Sequence, residues 1–269
     1  FAEKYKNNNG NAVSAAGNVV LDQLGFKWSE NGLYIVPKGV GVFTSNYKLV
    51  ETNDYLYHTM VNGKVVDINA DTLVVSGGSE VYGQDDVIID ADTLIIEAGT
   101  QRSTKEEQFE KKKVLVNTTL DGGSSSYTKS YAYDEIESKV YSYIRSGNDA
   151  HIDVVNLVIE GGGIYAPNNN VDADNLFIKT IKNTYSHKDA SQFVSGSIGL
   201  KTGEFSAQFN QSKGKILDES VSDIAGIRGV NVVVNSDNAY LVGGVIAGSN
   251  STTANIANLT HEDVDLKHE

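Results

Sequence analysis

The chain has 269 residues, 40% of them hydrophobic, which is typical of a folded protein rather than a disordered one. Its net charge is −13 at pH 7, so we expect no nucleic-acid partner and no strong attraction to anionic lipid. The absence of cysteine excludes disulfides, zinc thiolate sites and thiol catalysis. With 26 glycines, 14 tyrosines and only two prolines among short Val, Ile and Thr runs, the composition predicts an all-β protein.

The N-terminal stretch, residues 1–57, carries no recognisable repeat, and we interpret it as an irregular segment preceding a repeat domain at 58–269. The chain opens at Phe1 without a basic region or an apolar leader, which suggests a soluble piece cut from something longer. No run approaches the ~18 apolar residues needed to span a bilayer, so we expect no transmembrane segment.

An apolar phrase recurs along the repeat domain. Asn69 to Leu73 returns after 21 residues as Asp90 to Leu94, a third copy runs from Leu157 to Leu176, and a degenerate fourth runs from Leu241 to Leu259. A period of about 20 residues, with short apolar strands between Gly and Asn/Asp turns, is typical of stacked β coils. The sequence therefore predicts a right-handed parallel β-helix, a solenoid with two antiparallel β-hairpin excursions projecting from it.

Stacking would also explain the residue types at fixed places in the phrase. Leu73, Val75, Leu94 and Ile96 would line a continuous interior, because one coil alone has too few apolar residues to bury. The glycine pairs occur at one corner and the Asp-Ala-Asp triplets at another, where left-handed backbone or close approach favours them. The glycine pairs are Gly77-Gly78, Gly161-Gly162 and Gly243-Gly244.

The first excursion, at about 100–146, is polar and alternating, with the turn signal Asp121-Gly122-Gly123. A register in which paired residue numbers sum to 246 would bring opposite charges together. The predicted pairs are Lys111 with Glu135, Lys112 with Asp134, and Glu107 with Lys139. A row of aromatic side chains on this hairpin either covers itself and the coil wall or forms a contact surface for sugars or protein. The row comprises Tyr127, Tyr131, Tyr133, Tyr141 and Tyr143.

The second excursion, at about 180–228, alternates with Gly and Ser around the turn Lys201-Thr202-Gly203-Glu204. Phe193, Phe205 and Phe209 need a surface to lie against. They either pack on the flank of the repeat domain or add to the candidate contact surface.

These segments together resemble a known family. The run "DADNLFIKTIKNTYSHKD", a Gly/Ser excursion ending in "FNQSKGK", and the closing "ANIANLTHEDVDLKHE" are similar to the haemagglutinin repeats of filamentous-haemagglutinin-like exoproteins. In that family a phrase like Ile181 to Thr184 ends a coil and a segment like Gly243 to Ala247 resumes it. The resemblance is good over Asp149 to Glu269, looser over Val65 to Asn148, and absent before Val65.

The resemblance implies a function. The family includes two-partner secretion adhesins and the effector proteins of contact-dependent growth inhibition, which leave Gram-negative cells through an outer-membrane secretion partner and remain at the cell surface. This chain is then expected to be a secreted, non-catalytic stalk or delivery segment that helps a C-terminal toxin into a neighbouring bacterium. An adhesin filament is the nearest alternative. The expected partner is a target-cell surface protein or glycan.

Motifs for chemistry are sparse. The strongest competing interpretation is a polysaccharide-active enzyme with carboxylates around Asp85-Asp86, but adjacent strand residues point to opposite faces, so at most one enters a groove. The Asp90/Asp92 and Asp172/Asp174 pairs could offer oxygens to calcium, although turn capping is the simpler explanation. The five histidines lack metal-ligand spacing. We therefore predict no catalytic residue, no cofactor and no metal.

Overall fold

The computed structural model describes residues 18–21, 24–29, 32–37, 39–117 and 122–269, with side chains in 44–116 and 122–269. Every element in these ranges is a strand, as the composition predicts. None of the described residues belongs to a helix that could cross a membrane. The strands are β1 (Asn18–Leu21), β2 (Leu24–Ser29), β3 (Gly32–Pro37), β4 (Gly39–Asn53), β5 (Met60–Val75), β6 (Glu80–Glu97), β7 (Gly99–Asn117), β8 (Gly122–Val140), β9 (Ser142–Ser146), β10 (Asp149–Glu160), β11 (Gly162–Tyr165), β12 (Asn168–Lys179), β13 (Asn183–Gly199), β14 (Glu204–Ser220), β15 (Gly226–Val242) and β16 (Val245–Glu262).

The repeated phrases pair with one another in parallel. Leu73 lies beside Leu94, Leu94 beside Leu157, and Leu157 beside Leu176, so the 21- and 19-residue spacings of the sequence are pairing registers between β5, β6, β10 and β12. The same columns continue into β15 and β16. The apolar phrase thus specifies which segments are neighbours.

These pairings close on themselves. β6, β10, β12 and β15 pair along their longer parts, and the short strands β9 and β11 join the starts of β6 and β15, giving the ring β6–β10–β12–β15–β11–β9–β6. All six strands are parallel. β5 and β16 are added to the ring through β6 and β15.

The predicted right-handed parallel β-helix is therefore wrong. The architecture is a closed parallel barrel of six strands with a separate antiparallel sheet, and not a solenoid. The physical reason is that a repeat encodes the register between neighbouring strands, whereas closure depends on β9 and β11. These strands are only five and four residues long, too short to be recognised from sequence as partners of distant segments.

The core lies inside the ring. The apolar side chains that face inward from the ring strands are buried, and full burial of a Val, Leu or Ile side chain contributes roughly 1.5–3 kcal/mol. The largest are Ile89, Leu94, Ile96, Ile144, Ile152, Leu157, Ile159, Ile164, Ile178 and Ile227. The outward alternate positions carry polar ladders, in which Asn238 Nδ2 donates to Asn175 Oδ1 at 3.1 Å and Asn175 Nδ2 donates to Asn156 Oδ1 at 3.0 Å.

The two predicted excursions do form antiparallel hairpins, β7–β8 and β13–β14, but they do not project separately. β8 pairs with β13, and β4 pairs with β7, so the hairpins share one six-stranded sheet in the order β1–β4–β7–β8–β13–β14. The second turn lies between Gly199 and Glu204, as the sequence predicts. The predicted register of the first hairpin is wrong, because Lys111 pairs with Thr128 rather than with Glu135.

The stretch expected to be irregular, residues 1–57, contains β1 to β4. β4 is 15 residues long and adds to β7 along its whole length. Residues 1–17 of this stretch lie outside the described residues. The periodicity of the later repeats offered no signal for β4, because its partner β7 lies outside the repeated phrase.

Candidate interaction surface

One face of the antiparallel sheet, at the end away from the strand connections to the barrel, carries apolar side chains in three rows. The register places Val116, Gly123, Ile198 and Phe205 side by side in the outermost row. The next row is Val114, Ser125, Gly196 and Ala207, and the third is Lys112, Tyr127, Val194 and Phe209. We call the distal apolar face the set Val114, Val116, Tyr127, Val194, Ile198, Phe205 and Phe209.

The distal apolar face is open to solvent. Phe205 is 76% exposed and Phe209 is 59% exposed, which is unusual for phenylalanine. Gly123 and Gly196 have no side chains on this face, and a shallow concavity of about 400 Å³ lies between Val116 and Ile198. Contiguous exposed apolar area of this kind marks a contact surface more often than a solvated one.

Three of the predicted tyrosines share this face. Alternation along β8 puts Tyr127, Tyr131 and Tyr133 on the same side, in register with Val194, Ala190 and Lys188 of β13. All three tyrosines are half-buried, and Tyr133 OH lies 3.4 Å from Glu135 Oε2. The amino group of Lys112 lies 5.6 Å from the centre of the Tyr127 ring, a cation–π contact.

The predicted phenylalanines do not form one group. Phe205 and Phe209 belong to the distal apolar face, whereas Phe193 is adjacent to Val194 in the chain and so lies on the opposite face. Phe193 is half-buried between its register partners Thr128 and Asn210. The opposite face at this end is otherwise rich in serine.

Tyr141 and Tyr143 lie elsewhere, because β8 ends at Val140 and the tyrosine row stops with it. Tyr141 is only 6% exposed, and its hydroxyl donates to the Asp223 carbonyl at 2.6 Å. Tyr143 donates to Asp223 Oδ2 at 2.8 Å, and burial is the main cause that raises its pKa well above the ordinary value. Both residues connect the start of β9 to the loop before β15.

The residues that surround Tyr143 come from distant parts of the sequence and were not predicted as site residues. The register aligns Arg145, Tyr165 and Arg228 on successive strands, so cations and aromatic rings alternate across the barrel wall. The Arg145 guanidinium lies 4.4 Å from the centre of the Tyr143 ring, and Arg228 Nη1 donates to Tyr165 OH at 3.2 Å. No sequence motif links these residues, since their neighbourhood depends on ring closure.

A charged cluster lies on the opposite face, near the base of the sheet. His187 Nδ1 lies 2.6 Å from Asp134 Oδ1, and Tyr185 OH donates to the same oxygen at 3.0 Å. The hydrogen bond with His187 is the largest cause that lowers the pKa of Asp134. On the other face, which carries Tyr133, Arg102 contacts Glu135 and Glu137 across the β7–β8 pair. These contacts hold neighbouring strands together.

The acidic residues considered for catalysis and calcium lie on the barrel. Asp85 forms an exposed ion pair with Lys64 at 3.5 Å, and Asp90, Asp153 and Asp172 are in register on adjacent strands. Asn235 Nδ2 donates to Asp172 Oδ1 at 2.6 Å. Asp153 and Asp172 border an open concavity of about 540 Å³. Within the described ranges, no group of three or more His, Asp or Glu side chains is arranged to hold a metal ion.

In comparisons with known proteins, no family model, no curated protein and no solved structure matches this chain.

Proposed function

We propose that the chain is a non-catalytic segment of a secreted bacterial surface exoprotein, in which the barrel is a rigid base and the antiparallel sheet presents a contact surface to a neighbouring cell. The single observation that carries the proposal is the exposed distal apolar face, with Phe205 and Phe209 directed into solvent. Exposed apolar side chains lower the solubility of a protein and do not stabilise its fold. A binding role explains why they are present on this surface.

The wider role is toxin delivery, and it rests on the resemblance of Asp149 to Glu269 to haemagglutinin-type exoproteins. In that role the parent protein is secreted through an outer-membrane partner, and this segment meets the surface of the target cell. An adhesin without a toxin would use the same face. An adhesin only attaches to the target cell, whereas a delivery protein must also bring the toxin into it.

The contact surface is tested by binding of the purified chain to Gram-negative cells, measured by flow cytometry. We expect the wild-type chain to bind and the Phe205→Ser/Phe209→Ser variant to lose at least tenfold in apparent affinity, because two exposed anchors are removed. Leu259→Ser is the matched control, since Leu259 is also an exposed large apolar residue but lies on β16. Equal loss in the control variant would contradict the proposal.

Delivery and adhesion are separated in the parent protein. If the Phe205→Ser/Phe209→Ser variant attaches to cells as the wild type does but fails to inhibit them, the face acts after attachment and delivery is supported. If attachment and inhibition are lost together, the face is an adhesive surface.

A further inference from the structure

The charge of the sheet differs from that of the whole chain. Residues 108–133 and 188–215, which make up the outer part of β7, β8, β13 and β14 with their turns, hold eight lysines and four acidic residues. They therefore carry a net charge of +4 in a chain whose total is −13. The overall charge argues against an anionic partner, but this part of the molecule carries the opposite sign.

The lysines are concentrated on the same face as the exposed apolar residues. Alternation and register place five of them there: Lys112, Lys129, Lys188, Lys213 and Lys215. All five are exposed. Four acids lie near them. Glu110 forms an ion pair with Lys112 at 2.9 Å, and the Glu269 carboxylate lies 3.9 Å from the Lys215 amino group. Glu106 and Glu135 alternate onto the same face beside Tyr133. Glu204 precedes Phe205 and so points to the other side.

Along the strands, the side chains on this face change from apolar at the outer end to aromatic and positively charged nearer the base. The three outermost rows hold the distal apolar face and extend roughly 14 Å along the strands, at ~3.4 Å per residue. Lys129 and Lys213 follow in the next rows towards the base, together with Tyr131. An apolar zone followed by a zone of aromatic rings and lysines matches the order from acyl chains to anionic head groups in a lipid interface.

We infer that the distal apolar face and its lysines form a docking surface for an anionic lipid bilayer. This inference rests on the proposed contact surface and specifies what that surface binds. The distal apolar face enters the interface, Tyr131 lies at head-group level, and Lys129 and Lys213 meet lipid phosphates. The serine-rich opposite face stays in water.

Two other occupants fit less well. A second copy packed face to face would bring five lysines of each copy against each other, and like charges across an interface are unfavourable. A protein partner would need anchor pockets, whereas the concavity between Val116 and Ile198 is shallow and wide open. A lipid surface needs neither complementarity of shape nor a deep pocket.

The test is co-sedimentation of the purified chain with vesicles of phosphatidylcholine alone or mixed with phosphatidylglycerol. We expect binding to the mixed vesicles that weakens at high salt, and little binding to phosphatidylcholine alone. Lys129→Ala and Lys213→Ala should each weaken binding about fivefold, and Phe205→Ser at least tenfold. Lys111→Ala is the matched control, because Lys111 is exposed on the opposite face, and it should change binding less than about twofold.

The outcomes separate the two proposals. If mixed vesicles do not bind while cells do, and protease treatment of the cells abolishes their binding, the surface binds protein and the lipid inference is overturned. Equal effects of Lys111→Ala and Lys213→Ala would also overturn it, since attraction would then follow net charge alone. If neither cells nor vesicles bind, the contact surface itself fails.

Discussion

At the scale of single residues, Asn169 occupies a core column whose neighbours are apolar. It lies between Ala150 on β10 and Val232 on β15, and it is almost fully buried. Its Nδ2 donates to the carbonyls of Ala166 at 3.0 Å and Arg228 at 2.8 Å, where the chain bends into β12. The side chain thus donates to two backbone carbonyls at this bend, and the Arg228 carbonyl also accepts from the Ala166 N–H at 3.3 Å.

We therefore expect Asn169→Ala to lower the free energy of unfolding by about 1–3 kcal/mol, because two hydrogen bonds from a buried amide to backbone carbonyls are lost. Asn175→Ala is the control: it removes ladder bonds on the exposed wall, where water replaces them, and should cost about 1 kcal/mol or less. Urea denaturation measures both. A smaller effect for Asn169 than for Asn175 would show that the bend does not need the amide.

Acidification should remove the stabilisation that Asp134 provides. The contact with His187 lowers the pKa of Asp134, so the folded state binds this proton less readily than the unfolded state. The resulting stabilisation is present above the ordinary carboxyl pKa and is lost as pH falls through the lower folded value. We expect the unfolding free energy to fall on acidification below about pH 4. Asp134→Asn should flatten this dependence in denaturation curves measured at neutral and acidic pH, and an unchanged slope would contradict it.

At the scale of elements, the register of the β7–β8 hairpin decides which charges meet. Charge matching favoured a register that pairs Glu107 with Lys139, whereas the structure pairs Arg102 with Glu137. The difference is seven positions, and it arises because β7 also pairs with β4 and β8 with β13. Backbone pairing on both sides outweighs a few exposed ion pairs, each worth about 0–1 kcal/mol.

A double-mutant cycle distinguishes the registers. We expect Arg102→Ala and Glu137→Ala to be coupled by about 0.2–1 kcal/mol, since these side chains form an ion pair across the strands. Glu107→Ala and Lys139→Ala should be additive. If Glu107 and Lys139 are coupled while Arg102 and Glu137 are additive, the hairpin has the register that charge matching favours.

The β13–β14 turn gives a further test. Gly203 has φ = +71° and no other atom within 4 Å of an added Cβ, so a side chain there meets only the backbone penalty of left-handed geometry. We expect Gly203→Ala to cost about 1–2 kcal/mol and Gly203→Asn less, as asparagine tolerates this region. Hydrogen exchange at the β13–β14 amides measures the effect. Equal protection in both variants would contradict a strained turn.

At the scale of the whole molecule, the barrel interior holds the fold together. Ile152 is fully buried between Ile89 and Val171 of the neighbouring strands. We expect Ile152→Ala to lower the unfolding free energy by about 2–5 kcal/mol through lost burial and the cavity left behind. Val155→Ala, on the outward side of the same strand, should change it by about 0.5 kcal/mol or less. Thermal and urea unfolding would measure both, and similar losses would contradict an interior at Ile152.

The sequence by itself determined what is local or repeated: the all-β class, the turn at Gly203, and the registers that align Leu73, Leu94, Leu157 and Leu176. These follow from strand alternation, glycine geometry and apolar spacing, which operate within one strand or between its copies. Part of the contact surface was predictable in the same way, since alternation along β8 places Tyr127, Tyr131 and Tyr133 together.

Only the tertiary structure decided how these parts meet. Closure of the barrel by β9 and β11, the joining of two hairpins through β8 and β13, and the end of the tyrosine row at Val140 all depend on contacts between distant segments. Such contacts depend on backbone hydrogen bonding, which every residue type except proline offers alike, so they leave little trace in residue identity. The apolar rows from Val116 to Phe205 became one surface only when four strands from two hairpins were aligned.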